Sequence, residues 1–144
     1  MEHYWKIRAI SQLRGYKALL SEIDNAPGEI EELRQQMTAL KSPGADGGES
    51  HGGSGRSSDR LDSLIDEITD REEALKAAKA SAKRTRRALE ALSQEDLVVL
   101  SAFYIDDMRN PTDYLMDRLY ISRRTVYVRR DLALAKFRIA RNGL

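Results

Sequence analysis

SQEDLVVLSAFYIDDMRNPTDYLMDRLYISRRTVYVRRDLALAKF, Ser93 to Phe137, decides how the rest of the chain is read. Ser93 stands three residues before Asp96, the spacing of a capping box with Asp in place of Glu or Gln, so a helix starts here. The run LVVLSAFYI carries it to an end near Asp106–Arg109. Asn110 before Pro111 marks a turn, because a residue preceding proline avoids the α region. A second short helix is predicted from Thr112 to Leu119 or Tyr120. Ser122 caps a third, running to about Ala140. On that last helix Val126, Ala133, Leu134 and Phe137 share one face, predicted to pack on Leu97, Leu100, Phe103 and Leu119. Arg124, Val128 and Asp131 point away from it, flanked by Tyr127 and Thr125. Three helices, the last two separated only by a tight turn, match the spacing of a helix-turn-helix.

Charge is unevenly distributed around this stretch. The formal net charge is only +1, which by itself announces no polyanion partner. Yet Arg123 to Arg141 holds six Arg and one Lys against one Asp, whereas Ser93 to Asp117 holds six acids against Arg109 alone. Arginine bonds guanine O6 and N7 in bidentate fashion, or clamps a phosphate. Ser122, Thr125 and the free N–H groups at a helix start can hold phosphate oxygens. The residues predicted to contact DNA are therefore Ser122, Arg123, Arg124, Thr125, Tyr127, Val128, Arg129 and Arg130. Arg124, Tyr127 and Val128 are assigned to bases, with Val128 suited to a thymine methyl. Ser122, Arg123, Arg129 and Arg130 are assigned to phosphates.

Upstream, SPGADGGESHGGSGRSSD, Ser42 to Asp59, contains six of the nine glycines, so residues 42–58 read as a flexible linker. No strand precedes it and no GK[ST] ends it, so it is not a phosphate cradle. A long helix is predicted over 59–92 with Asp59 as N-cap. Leu61, Ile68, Leu75, Ala82 and Leu89 form one seam, and Leu64, Arg71, Ala78, Thr85 and Leu92 the second. Such a helix is about 50 Å long and must bury its stripe. Tyr4, Ile7, Ile10, Leu13, Leu20 and Ile23 lie at helical spacing, as do Ile30, Leu33, Met37 and Leu40. Between them Pro27 suits the first turn of a new helix. Helices are thus predicted over about 3–24 and 28–41, the second folding back antiparallel on 59–92. The basic run Lys76–Arg87 reads either as cations suited to a helix C-terminus or as a second phosphate-tracking stripe.

The expected architecture is all-α: an N-terminal antiparallel helical hairpin or coiled coil over 1–92 and a three-helix domain over 93–144. LSQEDLVVLSAFYIDDMRNPTDYLMDRLYISRRTVYVRRDLALAKF, Leu92 to Phe137, resembles region four of sigma-70-type RNA polymerase sigma factors. Over nearly the full length, the chain resembles small phage-encoded transcription regulators of the RinA/ArpU type. The most specific pieces are SRRTVYVRRDLALAKF, Ser122 to Phe137, and LSAFYI, Leu100 to Ile105. The middle helix, PTDYLMDRLYIS, departs from the usual Trp/Ile-Ala pattern and turn glycine. The resemblance implies a sigma-region-four-like helix-turn-helix, activation of phage late genes and contact with RNA polymerase in the bacterial cytoplasm.

Other features exclude more than they assign. Without cysteine there is no disulfide or thiolate metal site. His3 and His51 have no metal-ligand partner at useful spacing, so no metal or other cofactor is expected. The N-terminus does not read as a signal peptide, and no run approaches the roughly 18 apolar residues of a membrane span. The carboxylate pairs Asp106–Asp107 and Asp113/Asp117 lack a base, so an enzyme is not expected. The reading is a double-stranded-DNA-binding regulator, with a homodimer through the N-terminal helices. The alternatives are a small terminase subunit binding packaging-site DNA, and a helical adaptor without specific DNA binding.

Overall fold

A computed structural model describes residues 3–41 and 54–143. Every regular element among them is helical: α1 (Tyr4–Arg14), α2 (Tyr16–Lys41), α3 (Ser54–Glu90), α4 (Gln94–Leu100), a π-helical turn (Ser101–Ile105), α5 (Pro111–Leu119) and α6 (Arg123–Asn142). The chain is all-α. No described helix is long and apolar enough to cross a membrane.

The N-terminal helices are divided elsewhere than the sequence suggests. The break falls at Gly15, whose φ of −80° and ψ of −8° nearly continue the helix. Pro27 lies inside α2 and breaks nothing. Its ring sits on the exposed side, while Ala26, Ile30 and Leu33 are buried on the other. Burial of that face outweighs the one hydrogen bond that proline cannot donate. Helix α3 likewise starts at Ser54 rather than Asp59, so Asp59 is not its cap. Extending an existing helix through GRSS fixes few dihedrals per hydrogen bond gained, unlike starting one. Of the linker predicted over 42–58, residues 42–53 lie outside the described residues, and 54–58 are helical.

The chain divides into two units, one of residues 1–20 and 80–144 and one of residues 21–79. This division differs from the boundary at Leu92–Ser93 read from the sequence. The reason lies in α6, which touches α1, α4 and α5. Ala133, Leu134 and Phe137 share a core with Ala9 and Leu13 of α1, Ala88 and Leu89 of α3, and Leu100 and Tyr104. The last three helices alone do not cover α6. The buried face of α1 accordingly follows Trp5, Ala9, Ile10 and Leu13. Tyr4 and Ile7, predicted to be core, are 77% and 65% exposed.

A second cluster in the first unit joins Val99, Ala102, Leu115 and Val126. The π turn feeds both clusters from one strip of chain. Asp106 N–H reaches back five residues to the Ser101 carbonyl at 2.7 Å. Across that wider turn Ala102 falls in the cluster of Leu115 and Tyr104 in the cluster of Phe137. The predicted α-helix through LVVLSAFYI is thus α-helical only to Leu100. Its start is as read: Ser93 Oγ accepts from Asp96 N–H. The buried Asp96 carboxylate accepts from Lys136 Nζ at 3.1 Å.

In the second unit Ile30 and Leu33 of α2 pack with Leu64 and Ile68 of α3. Arg34 pairs with Glu72 at 2.6 Å, and Arg71 with Glu29 at 2.8 Å. Arg71 thus leaves the seam with its charged end outwards, as a snorkelling side chain does.

Candidate nucleic-acid interface

The N-terminal end of α6 is built by a short connection from α5. Pro111 opens α5 at a position where its missing N–H costs nothing. Tyr120 closes α5 in the left-handed region, φ 57° and ψ 46°, with 93% of its surface exposed. A non-glycine residue there costs about 1 kcal/mol or more. Tyr120→Gly should therefore raise the melting temperature by the equivalent of about 1 kcal/mol in a thermal melt. Two residues later Ser122 is the N-cap of α6, its Oγ accepting from Thr125 N–H at 3.2 Å. Ser122→Ala should lower stability by about 1 kcal/mol in the same melt.

The eight predicted contact residues fall into distinct groups. Ser122 and Thr125 bond each other through their hydroxyls at 2.9 Å. Arg123 Nη2 donates to Asp113 Oδ1 of α5 at 3.2 Å. Arg129 is ion-paired with Glu95 of α4. The Arg130 guanidinium stacks between Phe103 and Tyr127, 5.3 Å and 5.0 Å from the ring centroids. Its Nε donates to Asp131 at 3.2 Å. Arg129 and Arg130 thus join α6 to its neighbours, a use that sequence spacing did not suggest. Arg124 is different. It is exposed and makes no ion pair or side-chain hydrogen bond with any described residue. Val128, one turn further along, is 51% exposed. A bare guanidinium and a bare isopropyl group therefore neighbour each other on one helical face.

Tyr127 lies at the edge of this surface. Hydrogen bonding by the Thr112 hydroxyl, then by Arg123, lowers the pKa of its phenol from the ordinary tyrosine value. The folded state favours the phenolate, so Tyr127 adds stability as pH rises towards the ordinary tyrosine range and loses that contribution as pH falls through its lowered pKa. In an ultraviolet titration of the folded chain, an early tyrosine ionisation should vanish in Tyr127→Phe.

A shallow groove lies between the starts of α5 and α6, lined by Arg109, Asn110, Pro111, Thr112, Asp113 and Arg123. It adds Arg109 and Thr112 to the surface, residues that the charge count alone could not place. Among the described residues no group of three His, Cys, Asp or Glu is arranged to hold a metal ion. Asp106, Asp107 and Asp113 pair instead with Lys17, Arg14 and Arg123.

The charge segregation extends to the two units. The first carries 17 Lys and Arg against 9 Asp and Glu, and the second 7 against 14. One unit is thus strongly basic and the other strongly acidic within a nearly neutral chain. The sequence matches no protein-family model, and no curated protein or solved structure is significantly similar to it.

Proposed function

We propose that the chain is a DNA-binding transcription regulator whose basic unit reads duplex DNA with α6. In this reading α5 and α6 are a helix-turn-helix, and the N-terminal end of α6 enters the major groove. The observation that carries it is Arg124, unpaired among the described residues, beside the exposed Val128 at the capped start of α6. Arg124 has both edges of its fork free for guanine O6 and N7, and Val128 meets a thymine methyl. Arg123, Ser122 and Thr125 hold the backbone at the helix start. Their present partners are exposed and so are exchanged for phosphate at small cost. Tyr127, Arg129 and Arg130 fix the pose of α6, with Tyr127 still edging the base-reading face. The acidic second unit is repelled by the same duplex, which favours approach through the basic unit.

The second unit, in this reading, is an antiparallel helical hairpin of α2 and α3, supported by the Ile30–Leu33 and Leu64–Ile68 cluster. Self-association through the N-terminal helices belongs to the same proposal, although this cluster already occupies much of the α3 stripe. A concentration-independent monomer mass in analytical ultracentrifugation contradicts it. The resemblance to phage regulators of the RinA/ArpU type adds late-gene activation and contact with RNA polymerase.

The test is binding of a labelled mixed-sequence duplex across salt concentrations. Phosphate neutralisation by several cations gives an affinity that falls steeply and log-linearly with salt. Absence of binding at low salt contradicts the reading.

A further inference from the structure

Arg141 lies about 25 Å along α6 from Arg124, at 1.5 Å per residue. It is only 8% exposed. Its Nε donates to Thr85 Oγ1 at 3.0 Å and its Nη2 to Ser81 Oγ at 3.2 Å. Both partners are neutral. Buried charges are ordinarily paired with opposite ones, yet no carboxylate among the described residues pairs with Arg141. Among the described residues, the charged groups that act on it are cations. Burial, and then the like charges of Arg84 and Arg8, lower its pKa from the ordinary arginine value.

The packing explains the crowding. Ser81 holds Arg141, and Arg84 follows Ser81 one turn along α3. Gln12 and Asn142 exchange amide hydrogen bonds at 3.0 Å and 3.1 Å, and Arg8 precedes Gln12 by one turn of α1. Arg8 and Arg84 are exposed, and neither is in an ion pair with a described residue. Beside Arg8, Tyr4 and Ile7 line one open groove together with Ser11 and Gln12. Like charges held together cost energy that an anionic ligand would recover. Exposed apolar side chains next to them recover energy only from an apolar group.

We propose that Arg8 and Arg84, with Tyr4 and Ile7, form a docking surface for an acidic protein segment that carries an apolar anchor, and that the buried charge of Arg141 adds to its attraction for acids. Carboxylates match guanidinium forks in bidentate geometry, and the anchor covers Ile7 and the Tyr4 ring. Tyrosine and arginine are the residue types that dominate such interfaces. A sugar-phosphate backbone satisfies the arginines but offers nothing to Ile7. The surface lies at the opposite end of α6 from Arg124. It goes beyond the DNA-binding reading and does not depend on it.

The test uses the full chain and a short labelled peptide in which a Leu-Phe pair is flanked by Asp and Glu. Its analogue replaces the acids with Asn and Gln. The acidic peptide should bind, and the amide analogue about tenfold or more weakly. Arg8→Glu/Arg84→Glu, which changes only exposed side chains, should lose the peptide while keeping its circular dichroism and a melting temperature no lower than the parent's. Ile7→Ser should weaken the peptide, and Arg124→Ala should bind it as the parent does. An unlabelled mixed-sequence duplex should not displace it. Failure of the acidic peptide to bind, equal binding of both peptides, or full binding by the double variant overturns the proposal. So does loss in Arg124→Ala in place of the double variant. Displacement by the duplex that is itself lost in Arg8→Glu/Arg84→Glu would make the cluster a phosphate site, and also overturns it.

Discussion

Phe137→Ala is expected to destabilise the basic unit by about 3–5 kcal/mol, a large share of the stability of an ordinary small domain. Phe137 is fully buried, and its ring is the largest wholly enclosed side chain of the core. It belongs to one cluster with residues from α1, α3, α4 and the π turn. Truncation to alanine loses the transfer energy of the ring and leaves a cavity that helices held from several sides cannot close. Urea unfolding followed by circular dichroism and by Trp5 fluorescence measures the effect. Trp5 is the only tryptophan, and its ring lies 4.5 Å from the Arg138 guanidinium, so it reports on the α1–α6 contact. A midpoint unchanged by Phe137→Ala would mean that α6 is not the centre of this core.

Arg124→Ala is expected to weaken binding to the preferred duplex by about 1–3 kcal/mol, or roughly 5- to 150-fold, and to relax sequence preference at one position. The stability of the chain should not change, because Arg124 is exposed and pairs with no described residue. Arg129→Ala gives the useful contrast. It removes the ion pair to Glu95, so its effect on DNA should be similar for all sequences. Competition binding with the preferred and a scrambled duplex separates the two. A uniform loss in Arg124→Ala would make it a phosphate contact rather than a base contact.

The helices of the basic unit were legible because their signals are local. Ser93 and Ser122 cap as serines at those spacings do, and Pro111 opens α5. The buried face of α6 was legible from periodicity. The covering by α1 was not, because no local signal states which amphipathic helix a distant one will meet. Tyr4 and Ile7 were read into the core for the same reason: helical spacing finds a face but does not choose between overlapping ones. Ala9 and Trp5 carry that face, and a small alanine gives little hydrophobic signal by itself. Pro27 misled because its steric rule is local, whereas the burial of Ala26, Ile30 and Leu33 that overrides it is tertiary. At the candidate interface the four arginines among the eight residues were legible as a basic cluster. Their division into free and engaged side chains depends on Glu95, Asp113 and Phe103, which the sequence places 10 to 34 residues away or on another helix.

The most direct measurement is selection from a pool of randomised duplexes, run in parallel for the parent chain and for Arg124→Ala, with the recovered pools sequenced. The account predicts one enriched motif for the parent and the same motif, flattened at the position Arg124 reads, for the variant. No enriched motif for the parent, or identical motifs for both chains, would contradict it.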